Sequence, residues 1–333
     1  MKINVQFVIF KQLERFFMNR RNLIKSILAS GLAIPLLGAS KSFETKSHKT
    51  ITPNALQLKF GELDLYIFSD GANKLKDPYP LIAPKQTEEQ FNQAKREVFL
   101  DQQPIAFSLN IFLIKKGNQY ILFDTGNGLG KNENVGRLIE QMQASNIEPH
   151  LVTDIILTHA HGDHINGVVL PDGQFAFKNA KYYIGKKEFD FWMKGTNQTT
   201  IDILNKIQTK LTFLKGNDVI FNCIKVKETF GHTPGHLAFE ITQPNKTLKL
   251  KHIADVVHSP ILIRYPEFGI KYDNDFDLAV KTRKEVLEEA YQQKQLLFAM
   301  HLPWPGIGYI DKKDNRYQWI PLSFASNLKQ IDL

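Results

Sequence analysis

Four side chains able to ligate a metal ion fall within six consecutive residues: His159, His161, Asp163 and His164, in Thr158-His159-Ala160-His161-Gly162-Asp163-His164. Residues two apart in an extended segment point the same way, so His159 and His161 can face one ion together. Gly162 then lets the backbone turn, which brings Asp163 and His164 to a second ion beside the first. A histidine pair alone says little, because surface and core histidines are common. The full HxHxDH pattern, directly after the strand-like run Asp154-Ile155-Ile156-Leu157, marks a metal site.

Two ions need more than four ligands, and the later chain offers candidates: His232, His236, His252, His258 and His301 all lie C-terminal to the motif. His232 lies in the Gly- and Pro-rich loop Phe230-Gly231-His232-Thr233-Pro234-Gly235-His236. Asp255 follows the strand-like stretch 248–254, and His301 closes Leu296-Leu297-Phe298-Ala299-Met300. The carboxyl ends of strands are where a layered α/β fold builds its site. Nucleophilic side chains are not the theme. No G-x-S-x-G elbow occurs, and the single cysteine, Cys223, rules out a disulfide framework or a cysteine-rich metal site. Cys223 reads as a buried, inert thiol. His48, His150 and His252 carry no assigned role.

The elements that must position these residues can be read from hydrophobic pattern and turn residues. Leu56–Phe60 and Leu63–Phe68 flank Gly61 as one hairpin, and Asn110–Ile114 and Tyr120–Phe123 flank Gly117-Asn118 as another. Helices are expected over Val135–Ser145, from Lys187 to Lys194, over Thr200–Leu214 and over Phe276–Gln293. Further strands are expected at Lys181–Ile184, Asp218–Ile224, Ala238–Thr242, Leu248–Ile253 and Leu296–Met300. Strands and helices alternate in two halves with no short repeat, which argues for an α/β fold of sheet layers covered by helices.

In this order, HxHxDH, GHTPGH, an aspartate after a strand and a late histidine resemble the metallo-β-lactamase fold superfamily, over roughly residues 55–325. Ala299–Tyr309 and Glu188-Phe189-Asp190-Phe191-Trp192 look most like methyl parathion hydrolase and related lactonases. The resemblance implies a four-layer αββα sandwich with two divalent metal ions on one edge, zinc by default, manganese or iron as alternatives. Carried over, it assigns His159, His161 and His232 to the first metal, Asp163, His164 and His301 to the second, and Asp255 as a bridge. His236 is then expected to support or pack rather than ligate, and Asp124 to hydrogen-bond backbone or a ligand histidine. Two ions so held supply a bridging hydroxide and polarise a C=O or P=O group.

The departures also inform. Zinc β-lactamases of the commonest type carry a cysteine where Asp255 stands, so antibiotic hydrolysis is disfavoured. Some lactonases of this fold place a tyrosine near the position of His258, which makes His258, with an expected near-neutral pKa, a candidate catalytic contact alongside Asp163; the alternative is a hydrogen-bonded structural histidine. Trp192 and Trp304 are candidates for lining an apolar substrate pocket, with core packing as the alternative.

The formal charge is +8, but residues 1–40 hold six positive side chains against Glu14, leaving about +3 for the remainder, which excludes a nucleic-acid-binding reading. Arg20-Arg21-Asn22-Leu23-Ile24-Lys25 before the apolar run Ser26–Leu37 resembles a twin-arginine export signal. The expected organisation is an export signal over 1–40, with Met18 the expected start, a linker over 41–54 and a catalytic domain over 55–333. That organisation places the mature protein in a bacterial periplasm without a stable membrane anchor, with a homodimer as the default assembly. The leading function is hydrolysis of a neutral small molecule, a lactone, carboxylic ester or phosphotriester. A glyoxalase II-like thioesterase and a mononuclear-iron persulfide dioxygenase are the alternatives.

Overall fold

The computed structural model describes residues 54–243, 248–323 and 331–332. The expected export signal, its start at Met18 and the linker up to residue 53 lie outside the described residues. No helix among the described residues is long and apolar enough to cross a membrane.

The first sheet begins with the two expected hairpins. Strand β1 (Ala55–Phe60) pairs with β2 (Leu63–Lys74), which pairs with β3 (Ala106–Lys116), which pairs with β4 (Gln119–Phe123), all antiparallel. From there β5 (Asp154–Leu157), β6 (Lys181–Gly185) and β7 (Leu211–Leu214) add in parallel. The second sheet runs through β8 (Val219–Ile220), β9 (Ile224–Glu228), β10 (Leu237–Ile241), β11 (Leu250–His252), β12 (Leu296–Phe298), β13 (Ile307–Lys313) and β14 (Arg316–Pro321), adjacent in that order. A last strand, β15 (Ile331–Asp332), joins β1 in parallel.

The two sheets meet through their apolar faces. Phe112 and Phe123 of the first sit against Phe298 and Phe239 of the second, with ring centroids 4.9 and 5.3 Å apart, and all four are buried. Each such phenyl contributes about 1.5–3 kcal/mol through burial. His252, for which no role was assigned, is a member of this aromatic core.

Helices α1 (Pro78–Ile82), α2 (Glu88–Glu97), α3 (Leu138–Ala144), α4 (Gly162–Ile165), α5 (Lys186–Met193), α6 (Gln198–Ile207), α7 (Pro260–Arg264) and α8 (Phe276–Gln293) cover the sheets. Leu138 and Met142 of α3 and Ile203 and Leu204 of α6 bury against the first sheet, and Val286 and Leu287 of α8 against the second. The result is the expected αββα sandwich. α8 begins at the Asp275 cap and ends at Lys294 in the left-handed region, φ 48°, matching the sequence reading.

Three expected elements differ. The helix expected over Val135–Ser145 starts only at Leu138, because the buried Asp70 carboxylate accepts from the backbone N–H groups of Asn127, Gly136 and Leu138 and holds the preceding loop open. The helix expected over Thr200–Leu214 stops at Ile207, and Leu211–Leu214 pairs in parallel with Tyr182–Gly185. Asp218–Ile224 is a hairpin rather than a strand, since Phe221 and Asn222 turn at φ 53° and 57°. Cys223, at that turn, is buried as expected.

Candidate metal centre

β5 delivers the metal motif. Its last residues are buried, and Thr158 is anchored by the buried Asp124 carboxylate, which accepts from the Thr158 amide at 2.8 Å and from its hydroxyl at 2.9 Å. His161 then caps α4, which carries Asp163 and His164 in one short turn. The loop between β9 and β10 brings in His232, a 3₁₀ turn after β11 brings in Asp255, and the segment after β12 brings in His301. All seven residues expected as ligands are therefore adjacent. Their donor atoms form overlapping groups within 4.8 Å: His159, His161 and His232; His159, His164 and Asp255; Asp163, His164 and His301.

The hydrogen bonds on the far side of the imidazoles show what the near side is for. A neutral imidazole carries one N–H, so a ring that donates through Nδ1 presents a bare lone pair at Nε2. His164 Nδ1 donates to Asp124 at 2.8 Å, His232 Nδ1 to Asp273 at 2.9 Å and His301 Nδ1 to the Ser108 carbonyl at 2.9 Å. The Thr158 hydroxyl spends its proton on Asp124, so it accepts from His159 Nδ1 at 3.1 Å. Four Nε2 lone pairs thus converge on the Asp255 carboxylate, at 3.1 Å from His301, 3.2 Å from His164, 3.4 Å from His232 and 3.7 Å from His159. His161 Nδ1 lies 2.9 Å from His159 Nε2 and 3.0 Å from His232 Nε2. Buried His164 Nε2 and Asp255 Oδ1 have no hydrogen-bond partner among the described residues. With the rings neutral, lone pairs face lone pairs and call for positive charge between them, so this donor set fits divalent metal ions.

With no ion bound, the carboxylates draw positive charge onto the imidazoles, into the place a metal cation would take. Burial works against a charged His164, yet the Asp255, Asp124 and Asp163 carboxylates outweigh it and hold the ring well above its usual value. Burial opposes the charged form of Asp255 too, but His164, His301 and His258 keep it ionised, well below the usual carboxylate range. His159 goes the other way, pushed well down by burial and by the neighbouring imidazoles.

His236 is not among these groups. Its Nδ1 donates to the Thr229 hydroxyl at 2.8 Å, and its Nε2 accepts from the Asp255 amide at 3.1 Å, so it positions Asp255 as a support. Asp124 likewise holds backbone and a histidine, as expected. His258 stacks on His301 at 5.0 Å, with Nε2 3.0 Å from Asp255 and Nδ1 buried without a partner among the described residues. The near-neutral pKa expected for it is corrected: burial pushes His258 down to about 4 despite the Asp255 carboxylate.

A cavity of about 370 Å³ opens over the cluster. Leu75, Leu81 and Phe107 supply its apolar wall, Asn73 and Asn127 its polar side, and His258 reaches its floor. Trp192 and Trp304 are absent from that lining. Trp192 packs edge-on against His161 at 5.4 Å, and Trp304 is 38% exposed elsewhere. His150 is exposed and far from any role at the site.

Two supports escaped the sequence reading. Glu188, wholly buried, accepts from the Ala160 and Gly235 amides at 3.0 Å each, from Trp192 Nε1 at 2.6 Å and from the Thr233 hydroxyl at 2.6 Å. It ties the HxHxDH turn to the GHTPGH loop. Gly235 permits this approach, because a Cβ there would lie 2.1 Å from the Glu188 amide nitrogen. The second support is Asp273, joined to Arg283. Burial disfavours its charge, but the His232 hydrogen bond and the Arg283 cation hold its carboxyl down at about 2. The Glu188–Trp192 run offered a sequence signal for the first; nothing local marks the second.

The chain belongs to the metallo-beta-lactamase superfamily, whose family model matches residues 105–248. Among solved structures it is similar to AidC, a dizinc quorum-quenching lactonase in complex with a product, N-hexanoyl-L-homoserine: 33% identity, 82% of this chain and 98% of that one covered, TM-score 0.77. It is also similar to AbOPH, a hydrolase in the beta lactamase superfamily, at 29% identity over 83% of this chain and 100% of that one, TM-score 0.73. Among curated proteins, YobT of Bacillus subtilis strain 168, itself uncharacterized, is 32% identical over 158 residues, 44% of this chain and 61% of its own length. The chain thus spans only about three fifths of that curated relative.

Proposed function

We propose that this chain is a binuclear metal-dependent hydrolase of neutral esters, with lactones as the preferred class and carboxylic esters and phosphotriesters as the wider range. The observation that carries the reading is the convergence of His159, His164, His232 and His301 on the two oxygens of Asp255, each ring fixed by a hydrogen bond on its other side. His161 and Asp163 complete the two ligand sets, and Asp255 links them. Divalent ions bound there would polarise the substrate's C=O or P=O group and activate water at neutral pH.

The remaining residues act on the substrate. Phe107, Leu75 and Leu81 exclude water from one side of the cavity and favour an apolar acyl or alkyl group. His258, uncharged at neutral pH, spends its N–H on the Asp255 carboxylate, and its ring at the cavity wall can pack against the bound substrate and orient it. Asp163, partly open to the cavity, is the second candidate catalytic group. The lactonase named AidC and the likeness of 299–309 to the methyl parathion hydrolase group support the two ends of the substrate range.

The test is turnover by zinc- or manganese-loaded protein of an N-acyl homoserine lactone, an aryl ester, a phosphotriester and a glutathione thioester. We expect the lactone to be turned over with the highest catalytic efficiency. Activity confined to the thioester, or oxygen consumption with a persulfide, would sink the proposal.

A further inference from the structure

Behind His232 lies a buried ionic link that also reaches Asp255. Arg283, on the inner face of α8, is only 1% exposed. Its NH2 group faces Asp273 Oδ2 at 3.4 Å, and Asp273 Oδ1 accepts from His232 Nδ1 at 2.9 Å. Its Nε donates to the Val256 carbonyl at 2.8 Å, one residue beyond Asp255. Its NH1 donates to the carbonyls of Pro266 at 3.2 Å and Phe268, in the segment leading to Tyr272 at the cavity mouth.

A guanidinium with planar donors can hold several acceptors in one fixed geometry, which a lysine cannot. Burying it costs several kcal/mol unless paired, so a chain needing only packing between α8 and the second sheet would be served by an apolar side chain. The specific arrangement matters more than the burial: one cation fixes both the acceptor that sets the His232 tautomer and the backbone that carries Asp255.

We propose that Arg283 is a positioning residue for the metal centre, acting through Asp273 on His232 and through the Val256 carbonyl on Asp255. The inference rests on the metal-binding reading above. Loss of the link should loosen the first metal position most, since His232 belongs to the group with His159 and His161. Removing a hydrogen-bonded support behind a ligand histidine typically lowers metal affinity about 10–100-fold.

The experiment measures zinc stoichiometry, zinc release to a chromogenic chelator and thermal unfolding for wild type, Asp273→Asn, Arg283→Met, Arg283→Lys and the Asp273→Asn/Arg283→Met double variant. We expect each single variant to weaken one of two zincs by about 10–100-fold, with Arg283→Lys milder. The double variant should be no weaker than Arg283→Met, because the Asp273 arm already runs through Arg283. Zinc affinities unchanged in Arg283→Met, with only a lower melting temperature, would overturn the proposal. Should Arg283→Met fail to fold, Asp273→Asn decides alone, since it keeps the side-chain shape. A wild type that binds no zinc would defeat the metal reading and this inference with it. Two tight zincs in wild type, in Asp273→Asn and in the folded Arg283 variant would defeat this inference only.

Discussion

Asp255 Oδ1 and His164 Nε2 lie 3.2 Å apart, both buried, yet neither makes a hydrogen bond among the described residues. His164 donates its other nitrogen to Asp124, so with the ring neutral the two atoms face each other as acceptors, with room for a cation's charge between them. Asp255→Ala removes the carboxylate proposed to link the two ligand sets. We predict loss of at least one metal equivalent and a drop in catalytic efficiency of roughly three orders of magnitude or more, on the scale expected when two-metal electrostatics are lost. Metal analysis of the variant with steady-state kinetics checks this; two retained metals at full activity would refute the linking role.

His258 is the sharper question, because geometry gives it both a support and a substrate face. His258→Phe should keep both metals and the fold, while lowering kcat by about 10²-fold, the low end for a proton-transferring or orienting side chain. Unchanged kinetics would return His258 to a structural role beside His301.

Much of this site was legible because metal ligands are few, chemically distinctive and placed at strand ends. HxHxDH announces itself in that way, while His232, Asp255 and His301 stood among several strand-end candidates until the family resemblance picked them out. The supports do not, because a glutamate or an arginine has many ordinary uses, and only the fold reveals that Glu188 meets four donors or that Arg283 reaches Asp273. The same logic explains the errors in local structure. Leu211–Leu214 continues an apolar periodicity that suits a helix, and it is the open edge of β6 that turns it into a strand. Asp70, an unremarkable residue in sequence, delays α3 by accepting backbone amides from a distant loop. Trp192 and Trp304 were expected in the pocket from the family resemblance; one packs beside His161 and the other lies outside the cavity.

Glu188 binds the two ligand loops together, so its removal should be felt in stability before chemistry. Glu188→Ala leaves the Ala160 and Gly235 amides and the Thr233 hydroxyl buried without this partner, each at about 1–3 kcal/mol. We predict destabilisation of at least about 3 kcal/mol by urea unfolding, with Glu188→Gln costing less. A loss under about 1 kcal/mol in Glu188→Ala would contradict the role given to this carboxylate.

Chelation should destabilise the fold reversibly. On the proposed metal binding, a metal present at about 1,000 times its dissociation constant contributes about 4 kcal/mol to the native state. Removing it with a chelator should lower Tm by on the order of 10 °C for a domain of this size, with zinc restoring it. A Tm indifferent to chelator and zinc would argue against metal at this cluster.

The central claim is that seven side chains hold two metal ions around Asp255. Elemental analysis of the purified protein tests it most directly. We predict two equivalents of divalent metal per chain, falling together with hydrolytic activity on dialysis against chelator. A single iron per chain, with oxygen consumed in turnover, would contradict it.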